Sequence, residues 1–185
     1  MKGSSCSLAL RARVLAVFAA SFIVGATAIF AAASLAGTGL RVAGVPLSWR
    51  IVIGAAVFAA LAVVDLRAIR TRDYCPIGWR RQTPQRGTRF GPMISAAVWG
   101  FDTGTIVTTF RVAAITWGAL SMAALGLAPW WIGIIYGLGF IVPLLFMLIM
   151  REPDSDSLQR LLAMRSLLQS CSAIALVLGS VLILT

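Results

Sequence analysis

The sequence predicts an all-α fold, a polytopic integral membrane bundle of five or six transmembrane helices. Three observations carry that expectation. The chain is 59% hydrophobic and only 12% charged, where a soluble domain has roughly a quarter of its residues charged. Its mean hydropathy is +0.93. Its polar residues are gathered into short connecting stretches, which leaves apolar runs that reach or approach the roughly 20 residues needed to cross a hydrocarbon core. With 185 residues and no long polar segment, the chain holds one transmembrane domain and no separate soluble one.

The first run, 14–37, is rich in alanine and follows Lys2, Arg11 and Arg13. Basic residues before an apolar stretch also begin a signal peptide, but this run exceeds the usual apolar region of about 7–15 residues, so a retained first helix is expected. Cys6 precedes the run and does not sit where a lipoprotein would be processed. The second run, 51–69, is short and ends among arginines that snorkel. A basic loop, 67–91, follows.

The region 93–127 is too long for one simple span. As a single helix it would rise about 50 Å against a core about 30 Å thick. It is therefore one long or broken helix, two short ones, or a span with a re-entrant piece. The runs 130–150 and 161–184 complete the set.

Charge arbitrates the topology. Arg67, Arg70, Arg72, Arg80, Arg81, Arg86 and Arg89 lie in the single loop 67–91, and basic residues in short loops near span ends mark the cytoplasmic side. If 93–127 crosses once, Arg151, Arg160 and Arg165 join that side and only Arg41 and Arg50 lie clearly opposite; a double crossing weakens the bias. The stretch 107–112 also lacks Gly, Pro, Asn and Asp, and β-branched residues make poor tight turns. Five spans with a cytoplasmic N-terminus, in a bacterial-type inner membrane, are the preferred reading. The formal charge of +10 is then explained by topology and by anionic lipid at the loop 67–91, so no nucleic-acid partner is expected. Segments 44–54 and 127–137 align Pro46 with Pro129 and Gly54 with Gly137, a faint internal repeat of the kind found in transporters.

The most polar apolar-flanked stretch runs from Trp99 to Trp117 and contains Asp102, Arg111 and five threonines. An ionisable residue at that depth is costly and points to a partner or a function. At about 100° per residue, Asp102, Thr105 and Thr109 share one helical sector, while Arg111 points nearly opposite and lies about 13 Å further along. Asp102 and Arg111 therefore do not pair in a straight helix. Asp102, Thr105, Thr109 and Arg111 are the candidates for a substrate or ion pathway, with Arg111 also able to snorkel outward. The competing reading is a packing face, because Gly100 and Gly104 have the small-residue spacing and threonines bond their own backbone. Asp65, close to Arg67, reads as a hydrated interfacial residue. The Gly100/Gly104 and Gly133/Gly137 faces are candidate contacts for a protein partner or a second copy, Pro143 would kink the fourth span, and Trp49, Trp130 and Trp131 read as interfacial anchors.

The chain has no histidine and six acidic residues, so imidazole catalysis and His-based metal sites are excluded, and no cofactor or metal is expected. Cys75 and Cys171 are weak redox candidates. The run Gly100-Phe-Asp-Thr-Gly-Thr with later glycine and proline breaks resembles, over about one helix, the glycine-rich helices of the CcdA/DsbD family of membrane thiol-electron carriers. Those carriers place a cysteine on each of two repeated helices, and the corresponding positions here hold none. What the resemblance implies is a thiol relay as an alternative function. A transporter-like or permease-type subunit with its polar site around Asp102 is the leading expectation, and a membrane anchor or assembly subunit is the other alternative.

Overall fold

The computed structural model describes residues 5–72, 90–106, 113–150 and 155–185, with side chains described for 10–72, 90–106, 113–142 and 166–185. The described residues form six helices and no strand: α1 (Ser5–Val42), α2 (Leu47–Thr71), α3 (Pro92–Gly104), α4 (Ile115–Ala124), α5 (Ile132–Met150) and α6 (Ser155–Leu184). Three stretches are long and apolar enough to cross a membrane, Leu10–Val42, Leu47–Thr71 and Ser166–Leu184. The chain is thus a helical protein of membrane type, as its composition requires.

The first helix outgrows its predicted run at both ends. Its 38 residues rise about 57 Å, so its tail projects beyond a hydrocarbon core or the helix tilts strongly. Gly44, with φ +75°, turns the chain, and Pro46 stands immediately before α2 with φ −57°, where its missing N–H costs nothing. The α4–α5 connection repeats this device: Gly126 has φ +66°, and the Pro129 carbonyl accepts the Ile132 amide at the start of α5 at 3.2 Å.

The region 93–127 is not one helix. α3 stops at Gly104 after 13 residues, and α4 has 10, so each is too short to cross alone. Ile106, fully buried, has φ +68°, a left-handed conformation that costs a β-branched residue about 1–2 kcal/mol. The break falls within the long or broken helix expected here, and Ile106 packs with Phe30 and Ala123 at it; the stretch 107–112, whose lack of turn residues argues against two crossings, lies outside the described residues.

Helix directions follow from the contacts. Gly100 lies on the Phe18 carbonyl and Gly104 on that of Phe22, so α3 runs parallel to α1. Further along α1, Gly37 meets the backbone of Ala123 and Gly126, and α4 continues the direction of α3. α5 returns, with Gly133 against Ala26 and Phe30 and Gly137 against Ile23. α2 is antiparallel to both α4 and α6: Asp65 meets Ala114 and Ser172, while Phe58 lies between Gly118 and Gly179. Among the described residues, α3 and α5 pack on α1, α6 packs on α2, and α4 contacts α1, α2 and α6. α4 is therefore the wedge between the α1–α3–α5 group and the α2–α6 pair.

The glycine faces expected to meet a second chain are used inside this one. Gly100, Gly104, Gly133 and Gly137 are all buried, and the first three sit where an added Cβ would press on the backbone or Cβ atoms of α1. The close approach that small residues permit is made here to α1. Phe22, Phe30, Tyr136 and Phe140 fill the α1–α5 seam, with the Phe22 and Phe140 rings stacked at 5.0 Å. On α6 large apolar side chains such as Leu168, Ile174 and Leu178 are exposed, a composition compatible with a lipid-facing surface.

Candidate functional site

α4 begins without a capping side chain of its own. Its N-cap position is Ala114, followed by Ile115 and Thr116, so the first amides of the helix have no local acceptor. The acceptors come from two other helices. The Asp65 carboxylate of α2 accepts the Ala114 amide with both oxygens, at 2.9 and 3.1 Å. The Ser172 hydroxyl of α6 accepts the Ile115 amide at 3.0 Å and donates its own proton to Asp65. Asp65 is fully buried. It lies against the positive end of the α4 dipole, where a carboxylate is favoured.

Two more buried polar side chains lie close in sequence to these partners: Gln169, fully buried and one turn before Ser172 on α6, and Thr116 in the first turn of α4. The remaining wall is apolar, with Ala62, Ala114 and Leu176 forming a buried cluster beside Phe58 and Leu61. The shell around the carboxylate is made of N–H and O–H donors. That is a shell suited to an anion, and it leaves little for a metal cation; among the described residues no group of three His, Cys, Asp or Glu side chains comes together.

The other end of α4 is held in the same manner with the charges reversed. Arg50, in the first turns of α2 and only 8% exposed, donates from Nη1 to the carbonyl of Leu125, the C-cap, at 3.2 Å. Leu125 is one of the last carbonyls of the helix, where a cation is favoured. One helix, α2, thus supplies a carboxylate to the start of α4 and a guanidinium to its end.

The residues singled out from the sequence lie elsewhere. Asp102 is half-buried in the last turn of α3. Thr105 is brought to it, but through the backbone: its hydroxyl donates to the Asp102 carbonyl at 2.8 Å. Thr103 does the same to Trp99 at 2.6 Å. Thr109, Arg111 and Cys75 lie outside the described residues. Cys171 is an exposed free thiol on α6, adjacent in sequence to Ser172. Trp49, Trp130 and Trp131 are exposed and stand near the Gly44 and Gly126 turns at one end of the bundle.

Sequence reasoning missed Ser172, and it read Asp65, which is fully buried, as a hydrated interfacial residue. The available signal was a stripe. The buried face of α2 is Arg50, Gly54, Ala55, Ala62, Asp65 and Ala68, so Asp65 shares its face with small residues that face other helices and not with the exposed Arg67 and Arg70. Gln169, Ser172 and Leu176 recur at three- and four-residue spacing on α6, the corresponding half of the pattern. The chain matches no family model, no curated protein and no solved structure.

Proposed function

We propose that this chain is a small permease-type protein of a bacterial-type cytoplasmic membrane, crossing it five times, with α3 and α4 together making the third crossing. The N-terminus and the basic loop 67–91 are assigned to the cytoplasmic side by the positive-inside rule, and the arginines of that loop rest on anionic headgroups. The working site is the interruption itself, with Asp65 and Ser172 at the start of α4, and Asp102 and Thr105 at the end of α3 as its second polar group.

One observation supports this reading above the others: a fully buried carboxylate at the N-terminus of a half-length helix. Interrupted helices whose ends meet polar groups near mid-membrane are the device by which transporters build their sites. Backbone that leaves the helix at that depth is tolerated where protein or a cavity receives it, and an intramembrane carboxylate points to a substrate, ion or proton path. The donor shell leaves no ligand set for a metal cation among the described residues, and the cargo that an intramembrane carboxylate beside a hydroxyl can carry is a proton, which adds to an oxygen while Ser172 turns from donor to acceptor towards it.

The test is proton uptake into vesicles of phosphatidylethanolamine and phosphatidylglycerol that contain the purified protein and a pH-sensitive dye, driven by an imposed potassium diffusion potential. Uptake above that of empty vesicles, abolished by Asp65→Asn in protein that remains folded, is the expected result. Uptake equal to that of empty vesicles, or a folded Asp65→Asn variant as fast as the parent, overturns the proposal.

A further inference from the structure

Arg50 and Asp65 occupy the same face of α2, separated by about 22 Å of helical rise, while α4 spans about 15 Å between them. Each grips one end of α4. Arg50 is nine-tenths buried, its Nε meets no acceptor among the described residues, and its Nη1 bond goes to α4 alone. A buried guanidinium held in that way depends on the negative end of the helix for compensation. The fit around it is close. An added Cβ on Gly126 would lie 3.2 Å from Arg50 Nη1 and 3.0 Å from the Gly37 carbonyl, so the end of α4 is fixed between Arg50 and α1.

We infer that Arg50 is a positioning residue for the Asp65 site, acting on it through α4, so that the two ends of the bundle are coupled by this one short helix. The inference rests on the proposed function only in taking the Asp65 cluster as the working site. Mechanically it follows from length: a helix of 10 residues is below the size at which its two ends behave independently, and opens or shifts as one unit. Release of its C-terminal end therefore moves the Ala114 and Ile115 amides away from Asp65 and Ser172. The coupling is reciprocal, as linkage demands. It joins a group near the tryptophan end of the molecule to a carboxylate nearer the end where the basic loop begins.

The experiment is amide hydrogen exchange on the full chain in lipid nanodiscs, for the parent, R50Q, R50K and D65N. A charge-assisted hydrogen bond removed from one end of a cooperative unit raises its opening by about tenfold or more. R50Q is expected to accelerate exchange at Ala114 and Ile115, the remote end, by about tenfold, and R50K to restore most of the protection. D65N is expected to accelerate Leu127 and Ala128, whose amides bond the Met122 carbonyl. Acceleration confined in each variant to the end that was altered overturns the inference. Should R50Q fail to fold, the D65N arm decides alone, because its remote effect is required by the same coupling. None of these readouts involves proton uptake, so a failure here leaves the permease reading to its own test.

Discussion

Truncation of Asp65 separates a structural cap from a dispensable buried charge, and its cost is set by what remains unpaired. In Asp65→Ala the Ala114 amide loses its acceptor on both carboxylate oxygens. Ser172 loses its acceptor too, but it recovers by turning to the carbonyl one turn back on α6, as serines in membrane helices do; the Ile115 amide keeps Ser172. One hydrogen bond to a charged group, worth about 1.5–3 kcal/mol, disappears, and an amide stranded away from water adds about 1–3 kcal/mol. Desolvation works the other way, since removing a lone buried carboxylate recovers part of its burial cost. The expected net loss for Asp65→Ala is about 2–4 kcal/mol. Asp65→Asn keeps an oxygen for Ala114 and offers an N–H to Ser172, so it forfeits mainly the charge at the helix N-terminus, about 1 kcal/mol. Equilibrium unfolding in bicelles by steric trapping measures both. A folded Asp65→Ala protein as stable as the parent, or an Asn variant no better than the alanine one, refutes the capping argument.

The remaining expectations concern packing and topology. Gly104→Ala and Gly100→Ala force α3 away from the carbonyls of Phe22 and Phe18 and are expected to destabilise by about 1–3 kcal/mol, whereas Gly39, with nothing near its missing Cβ, is expected to accept alanine with a gain of about 0.5–1 kcal/mol; thermal unfolding in detergent compares the three. Gly118→Ala places a methyl 3.1 Å from the Phe58 ring and 2.8 Å from Leu176, costing about 1–3 kcal/mol, and Phe58→Leu is expected to return part of that loss, which a double-mutant cycle detects as non-additivity. Single cysteines at Gly44 and Pro129 are expected to react with a membrane-impermeant maleimide from one face, and a cysteine at Arg72 from the other; labelling of all three from one side rejects five crossings.

How much was legible in the sequence depended on whether the determinant was local. Hydropathy exposed the long helices α1, α2 and α6, because an apolar run of bilayer length has few alternatives. The spacing of Gly100 and Gly104 announced a close approach, and only the partner, α1, was hidden. The break after Gly104 was one of several options, and the residue at it, Ile106, is a poor turn former held by distant packing, so no local signal singled it out. Asp102 drew attention because its own segment is polar. Asp65 did not, because its role depends on α4 and α6, which follow it in the chain by 49 and 107 positions. Its proximity to Arg67 suggested a hydrated surface, yet on a helix such near neighbours point to different sides.

The long sequence separations also impose an order in time. Asp65 waits for Ala114, 49 residues later, and Arg50 for Leu125, 75 residues later. At synthesis rates of about 5–20 residues per second, α2 is complete about 2–10 s before the helix that neutralises its carboxylate has left the ribosome. During that interval α2 carries two charges on a face of small residues, each disfavoured in lipid by about 2.5–3.5 kcal/mol. Both groups meet their partners only when α4, the shortest helix among the described residues, has been made, and Ser172 of α6 reaches Asp65 later still.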